Sequence, residues 1–280
     1  MRVLAFLSQV VYGHVGAGAA VPALHRLGIE MLHVPTVLLA HHPGHGGFKG
    51  RVLPAEQLRD MVSALDVLGQ LGVDGVLSGY LGDAANGAVL LDALGKARAA
   101  NRSLRYLCDP VMGDADRGLY VRDDVADFIA AHLLPAADIV TPNHFELERL
   151  AGQAVGSLDD ALRACDALRA RGPKAVVCTS LLRRDGAAHE VETLAADDAG
   201  AWLVATPQLR NVPNGSGDLF AALFLAHRLK GLPTANALVR AVSSTFAILQ
   251  ASEGADELRL IENQTALDQP PTRFTARKVR

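Results

Sequence analysis

Short, uninterrupted apolar runs recur along the chain at Val3 to Leu7, Gly75 to Leu77, Leu104 to Cys108, Asp138 to Thr141 and Ala175 to Thr179. None alternates apolar with polar in the manner of a half-exposed strand. Each therefore predicts a strand covered on both faces, as in a mostly parallel sheet. Between them lie stretches with helical spacing, Ala19 to Leu27, Pro54 to Leu71, Asn86 to Ala100, Leu158 to Arg171 and Leu219 to Lys230, several followed by a glycine that suits a helix end. Strand and helix patterns in alternation predict an α/β fold: a three-layer sandwich with helices on both faces of a mostly parallel central sheet. No repeat or low-complexity linker divides the chain. Residues 1–268 are expected to form a single domain. The stretch 269–280, with two prolines and four basic residues, is expected to be a loosely held tail.

Composition narrows the function. A net charge of -3 without charge blocks gives no basic face for nucleic acid or an anionic membrane, so neither is expected as a partner. The apolar runs fall far short of the ~20 residues that span a bilayer, and a cytoplasmic protein is expected. Cys108, Cys165 and Cys178 are odd in number and set in apolar segments, which fits reduced core thiols rather than disulfides or a zinc site.

Three segments carry candidate chemistry. Pro213-Asn214-Gly215-Ser216-Gly217-Asp218 is a glycine-rich turn leading straight into an apolar helix. Small residues there leave backbone amides free to face an anion, and the helix N-terminus adds partial positive charge. A carboxylate in the first turn, Asp218, could accept a proton from a substrate hydroxyl while those amides stabilise a phosphoryl group. Ordinary helix capping explains the same residue types. Cys108-Asp109-Pro110-Val111-Met112-Gly113-Asp114 places two carboxylates just beyond a strand, where hard oxygen ligands suit Mg²⁺. A turn of Asp, Pro and Gly is the plainer alternative. Thr141-Pro142-Asn143-His144-Phe145-Glu146 presents Asn143 and Glu146 one turn apart, which is also capping-box spacing.

Taken in order, Ser8-Gln9-Val10-Val11-Tyr12-Gly13-His14-Val15-Gly16, Leu77-Ser78-Gly79-Tyr80-Leu81-Gly82, the Cys-Asp-Pro-Val-Met-Gly-Asp run, Thr-Pro-Asn-x-x-Glu and Gly-Ser-Gly-Asp resemble the pyridoxal kinases of the ribokinase-like superfamily. The resemblance runs from about residue 2 to residue 255. It implies a ribokinase-like domain that phosphorylates the 5'-hydroxymethyl group of pyridoxal with ATP and Mg²⁺, and that forms a homodimer. By the same resemblance Asp218 is the base, and the amides of Gly215, Ser216 and Gly217 form the anion hole. Asp109, Asn143 and Glu146 organise Mg²⁺ and the ATP phosphates, with Asp114 assisting. Thr141, Thr179 and Ser180 match the phosphate path, and Thr206 to Asn211, including Gln208 and Leu209, matches the surroundings of adenine. Ser8 matches the residue that hydrogen-bonds the pyridine ring, Val15 packs on that ring, and Tyr80 walls the pocket.

The chain departs from this family in its histidine-rich loop, His41-His42-Pro43-Gly44-His45-Gly46-Gly47, a candidate lid or substrate loop. A His-Thr pair is common there, and Pro43 cannot donate a hydrogen bond in place of the threonine hydroxyl. His42, Pro43, Gly44 and His45 are retained as candidate substrate contacts, while a transition-metal role for the histidines lacks an adjacent Cys or acid. Hydroxymethylpyrimidine kinase, whose ligand is also a flat heteroaromatic alcohol, is the nearest alternative enzyme. A catalytically silent B6-binding protein is the alternative outside enzymes. Gly13, Gly16 and Gly18 miss the dinucleotide fingerprint, and no Walker-type run is present.

Overall fold

A computed structural model describes residues 1–280. The first half contains β1 (Arg2–Tyr12), α1 (Ala17–Arg26), β2 (Glu30–His41), β3 (Gly50–Val52), α2 (Ala55–Val67), β4 (Gly75–Ser78), α3 (Ala84–Ala100), β5 (Arg105–Cys108), β6 (Gly113–Asp114), β7 (Gly118–Leu119), α4 (Asp123–Phe128) and the single turn α5 (Leu134–Ala136). The second contains β8 (Ile139–Val140), α6 (His144–Ala151), α7 (Leu158–Arg169), β9 (Ala175–Leu181), β10 (Glu190–Asp197), β11 (Gly200–Pro207), α8 (Ser216–Leu229), α9 (Thr234–Ala251) and β12 (Arg277–Lys278). Ten strands form one sheet in the order β12-β11-β10-β9-β8-β5-β4-β1-β2-β3, and β6 pairs with β7 as a separate small hairpin.

The middle of the sheet, β9-β8-β5-β4-β1-β2, is parallel throughout, while β3, β10, β11 and β12 are antiparallel additions at the two edges. Alternation along each central strand divides its side chains between two cores. Leu4 and Phe6 of β1 join Val76, Tyr106, Val140 and Val176 beneath α2, α3, α6 and α7. Val3, Ala5 and Leu7 join Leu77, Leu107, Ile139 and Val177 beneath α1, α8 and α9. Burying each such Val, Leu, Ile or Phe is worth roughly 1.5–3 kcal/mol, so apolarity on both faces holds these strands inside the sheet between the two helix layers. The consequence for function is geometric, because all six parallel strands release the chain at the same edge of the sheet.

The C-terminal stretch is not loose. Arg277 and Lys278 pair with Leu203 and Trp202 of β11, the Ala201 amide donates to the Arg280 carbonyl, and the Arg280 guanidinium forms a two-pronged ion pair with Asp166 at 2.6 and 2.8 Å. Phe274 packs edge-on against Phe246 of α9, with ring centres 5.0 Å apart. The open edge of β11 supplies unpaired backbone groups that the tail satisfies, a pairing invisible in the composition of the tail. No helix is long and apolar enough to cross a membrane.

Candidate active site

Where the parallel strands end, the chain delivers Ser8 from β1, Tyr80 just past β4, Asp109 from β5, Thr141 from β8, and Thr179 and Ser180 from β9. Together with the start of α8, they line one cavity of about 600 Å³. Between the Leu7–Pro35 and Gln9–Leu38 pairs β2 carries one extra residue, a bulge at Thr36–Val37 directly opposite Ser8, of the kind often found beside sites.

The start of α8 faces this cavity without a side-chain cap. Asn214, Ser216 and Asp218 are all suitable capping types, yet none accepts a hydrogen bond from the first turn. Its opening amides therefore remain available to an anion, beside the positive end of the helix dipole. Asp218 turns instead toward the β1–α1 connection, where its Oδ2 accepts the Gly16 amide at 2.8 Å. Burial pushes the Asp218 carboxyl up to about 6, and the Gly16 N–H opposes that rise. Gly16 has φ 55°, and a Cβ there would stand 2.2 Å from Ser8 Oγ. Gly215 has φ 102°, and a Cβ there would stand 2.1 Å from the His14 carbonyl oxygen. These two glycines let the β1–α1 connection lie directly on the α8 turn.

A second group of acids lies beside the turn. Asp109 Oδ1 accepts the Thr141 hydroxyl at 2.9 Å, and its Oδ2 is 3.9 Å from where a Cβ on Gly217 would stand. Its carboxyl is held well above the usual range, first by burial and then by the negative charges of Glu146 and Asp218. Glu146 is 3 % exposed, and its two oxygens accept the amides of Met112 and Asn143, both at 2.9 Å. Asn143 Oδ1 accepts the Glu146 amide in return, completing the capping box of α6, while its Nδ2 donates to the Gly113 carbonyl. Burial raises Glu146 to about 7 against the pull of those N–H groups. Asp114 Oδ1 accepts the amides of Asp116 and Arg117 in the β6–β7 turn.

These carboxylates do not converge as a ready-made three-acid cage. They do form a buried negative cluster in which like charges raise Asp109, an arrangement that a divalent cation would relieve. The donor set is hard and all-oxygen, so it fits Mg²⁺ held by one or two carboxylates and otherwise by waters and phosphate oxygens.

Most of the expected residues come together on the cavity: Ser8, Val15, His42, Pro43, Tyr80, Asp109, Asp114, Thr141, Asn143, Glu146, Thr179, Ser180 and residues 215 to 218. Four do not. Gln208 and Leu209 lie past the end of β11 and outside the lining, and the Gln208 amide donates to the His189 carbonyl. Gly44 and His45 lie outside the lining because the turn at Pro43–His45 points His45 at Glu257, with Nε2 to Oε1 at 2.6 Å.

Comparison with known proteins shows the family. Residues 13–257 match the family model described as phosphomethylpyrimidine kinase. A pyridoxal kinase PdxY of Rubrobacter xylanophilus is 46% identical over 283 residues, covering 100% of this chain and 98% of its own length. The chain belongs to the pyridoxal kinase family. A second pyridoxal kinase PdxY, from Leifsonia xyli, is 40% identical with full coverage of both chains. Among solved structures, pyridoxal kinase from Leishmania donovani in complex with ADP and pyridoxamine superimposes with a TM-score of 0.93, at 25% identity, covering 100% of this chain and 99% of that one.

Within this pyridoxal kinase fold, several cavity residues escape sequence reading. Val37 and Leu39 of β2, Val52 of β3 and Phe48 form an apolar wall on the β1–β2 side. β3 is only three residues long, and β2 is apolar at Leu38 and Ala40 as well, so nothing local marks which side meets the cavity. On the opposite side, Val242, Thr245, Phe246 and Leu249 of α9 line the cavity with Val191, Thr193 and Thr206. The spacing of those α9 residues is an apolar helical stripe, a signal present in the sequence but identical to that of a core-facing helix. Arg117 and Tyr120 of the β6–β7 hairpin also border the cavity.

Proposed function

We propose that Asp218 is the general base in the ATP-dependent phosphorylation of a B6 vitamer by this kinase, with the 5'-hydroxymethyl group of pyridoxal as the acceptor. The carrying observation is the Asp218 carboxylate fixed at 2.8 Å by the Gly16 amide beside an uncapped helix start on the same cavity. In this reading the vitamer ring lies between Val15 and Tyr80 with Ser8 at its edge, and the nucleotide extends past Asp109, Thr141, Thr179 and Ser180 toward Thr206 and α9. Asp218 takes the hydroxyl proton as the oxygen attacks the γ-phosphorus, and the bond from that phosphorus to the β-phosphate oxygen breaks to release ADP. The amides of the turn at residues 215 to 217 neutralise charge on the transferred group. Asp109 and Asp114 would hold Mg²⁺, with Glu146 acting through water, and the ion when bound with ATP supplies positive charge at the phosphates.

A homodimer in the cytoplasm fits the same reading. Val10 and Leu39 face the cavity, so their strand neighbours Val11 and Leu38 point outward, and Val11 is 91% exposed. Cys108, Cys165 and Cys178 are free and buried, in keeping with a reducing compartment.

The family description leaves hydroxymethylpyrimidine as a second acceptor to weigh, although the relatives at 46% and 40% identity are pyridoxal kinases. Coupled ADP release with Mg-ATP against pyridoxal, pyridoxine, pyridoxamine and hydroxymethylpyrimidine separates the two. Pyridoxal is expected to give the highest kcat/KM. A higher value for hydroxymethylpyrimidine would overturn the assignment.

A further inference from the structure

Glu257 has no part in the chemistry described above, yet it joins two elements around it. Its Oε1 meets His45 Nε2 of the histidine loop at 2.6 Å, and its Oε2 accepts the His14 amide of the β1–α1 connection at 2.8 Å. Its carboxylate also lies against Gly13, where an added Cβ would stand 2.5 Å from Oε1. The side chain is mostly buried, at 15% exposure. The segment that carries it is fixed, because the neighbouring Leu258 and Leu260 are buried in the core beneath α8 and the Arg259 amide donates to Ser252 Oγ.

Both ends of this link lead to the reaction. On one side, the connection held through His14 continues to Gly16, whose amide fixes Asp218, while the His14 carbonyl rests on Gly215. On the other side, His45 belongs to a loop whose His42 and Pro43 line the cavity. That loop is exposed, and the backbone hydrogen bonds of its turn run within the turn itself, from the His45 amide to the His42 carbonyl and from the Gly46 amide to the Pro43 carbonyl. His45 also touches the rings of Tyr12 and His41, each with centres 5.8 Å away, so the Glu257 contact directs a ring already partly packed.

We propose that Glu257 is a positioning residue that fixes the histidine loop over the acceptor end of the cavity and ties it to the connection that orients Asp218. The loop is thereby held from outside the cavity, through His45. The kinetic part rests on the function proposed above, whereas the placement of the loop does not.

The test compares His45→Ala, Glu257→Gln, Glu257→Ala and the double alanine variant of the full chain, using kinetics with pyridoxal and ATP and the rate of trypsin cleavage after Lys49. Loss of His45 cuts only the loop side, so KM for pyridoxal is expected to rise about tenfold with kcat within about twofold, the scale of one charge-assisted hydrogen bond. Loss of Glu257 cuts both sides, so Glu257→Ala raises KM similarly and also lowers kcat. Glu257→Gln, which keeps an oxygen for the His14 amide, preserves more of kcat. The double variant shows no further rise in KM beyond Glu257→Ala, because both changes break one bond. Cleavage after Lys49 is faster in every variant, a readout that holds even if the acceptor is not a B6 vitamer. Unchanged cleavage and KM in His45→Ala, or KM effects that multiply in the double variant, would overturn the proposal.

Discussion

The Gly16 amide and the Asp218 carboxylate meet at 2.8 Å across 202 residues of sequence. Burial lifts that carboxyl to about 6, and a general base acts only when ionised. In the free enzyme, kcat/KM is therefore expected to fall as pH drops through about 6 and to level off above it. Asp218→Asn keeps an oxygen for the Gly16 amide but cannot take the proton. Its kcat should drop by roughly 10²–10⁴ with ligand binding retained. Parent-like turnover in a coupled ADP assay would remove Asp218 from the role of base.

Gly16 is itself under constraint. Its φ of 55° and ψ of -125° belong to a region that glycine alone occupies readily, and Ser8 fills the space a side chain would need. Gly16→Ala should lower stability by about 1–3 kcal/mol through backbone strain. Displacing the amide that orients Asp218 should also lower kcat, by up to about 10²-fold for a shift near 1 Å. Thermal melting and steady-state rates measured together check this, and a variant that melts early but turns over normally would dissociate Gly16 from the base.

The legible parts of this molecule are those with local signals. All five apolar runs are parallel strands, because a strand buried on both faces cannot avoid a continuous apolar sequence. The Asn143–Glu146 spacing announced a capping box that is present, and the Gly-Ser-Gly-Asp turn announced a helix start. Strands β2, β10 and β11 were not visible: each mixes polar residues into its pattern because one part faces solvent or the cavity. The cavity wall from α9 was hidden for a different reason, since an apolar stripe does not state what it covers. Its place in a loop suggests a substrate contact for His45, but its direction is set by Glu257, which lies 212 residues away.

The acid cluster makes stability depend on pH in a particular direction. Glu146 is raised to about 7 and Asp109 is raised as well, so near neutrality the folded protein holds protons that the unfolded chain releases. Stability must then fall as pH rises through this range. His33, His42 and His227, lowered by burial, act oppositely, but only below their ordinary value of 6.5. The informative window is therefore about pH 6.5–8. Without Mg²⁺, the melting temperature should decline across it, and Asp109→Asn should flatten the decline while lowering activity. Added Mg²⁺ should raise the melting temperature of the parent more than that of Asp109→Asn. Equal pH profiles for the two proteins would count against the cluster.

The ordered tail joins the edge of the sheet to the cavity. Phe274 meets Phe246 at 5.0 Å in an edge-on pair, and its amide donates to Ser243 Oγ at 3.1 Å, so both contacts fall on α9. Phe246 lines the cavity beside Val242 and Leu249, on the side assigned to the nucleotide base. Phe274→Ala removes one ring of this pair but leaves the catalytic turn untouched. Full burial would make the loss 3–5 kcal/mol, and the half-buried position of Phe274 reduces it to about 1–3 kcal/mol. The freed Phe246 ring should shift into the space left behind, raising KM for ATP several-fold with KM for pyridoxal unchanged. That selectivity is the decisive part: loss of stability alone would lower the amount of active enzyme without separating the two substrates. A variant with both KM values unchanged would show that the tail supports the fold without reaching the site.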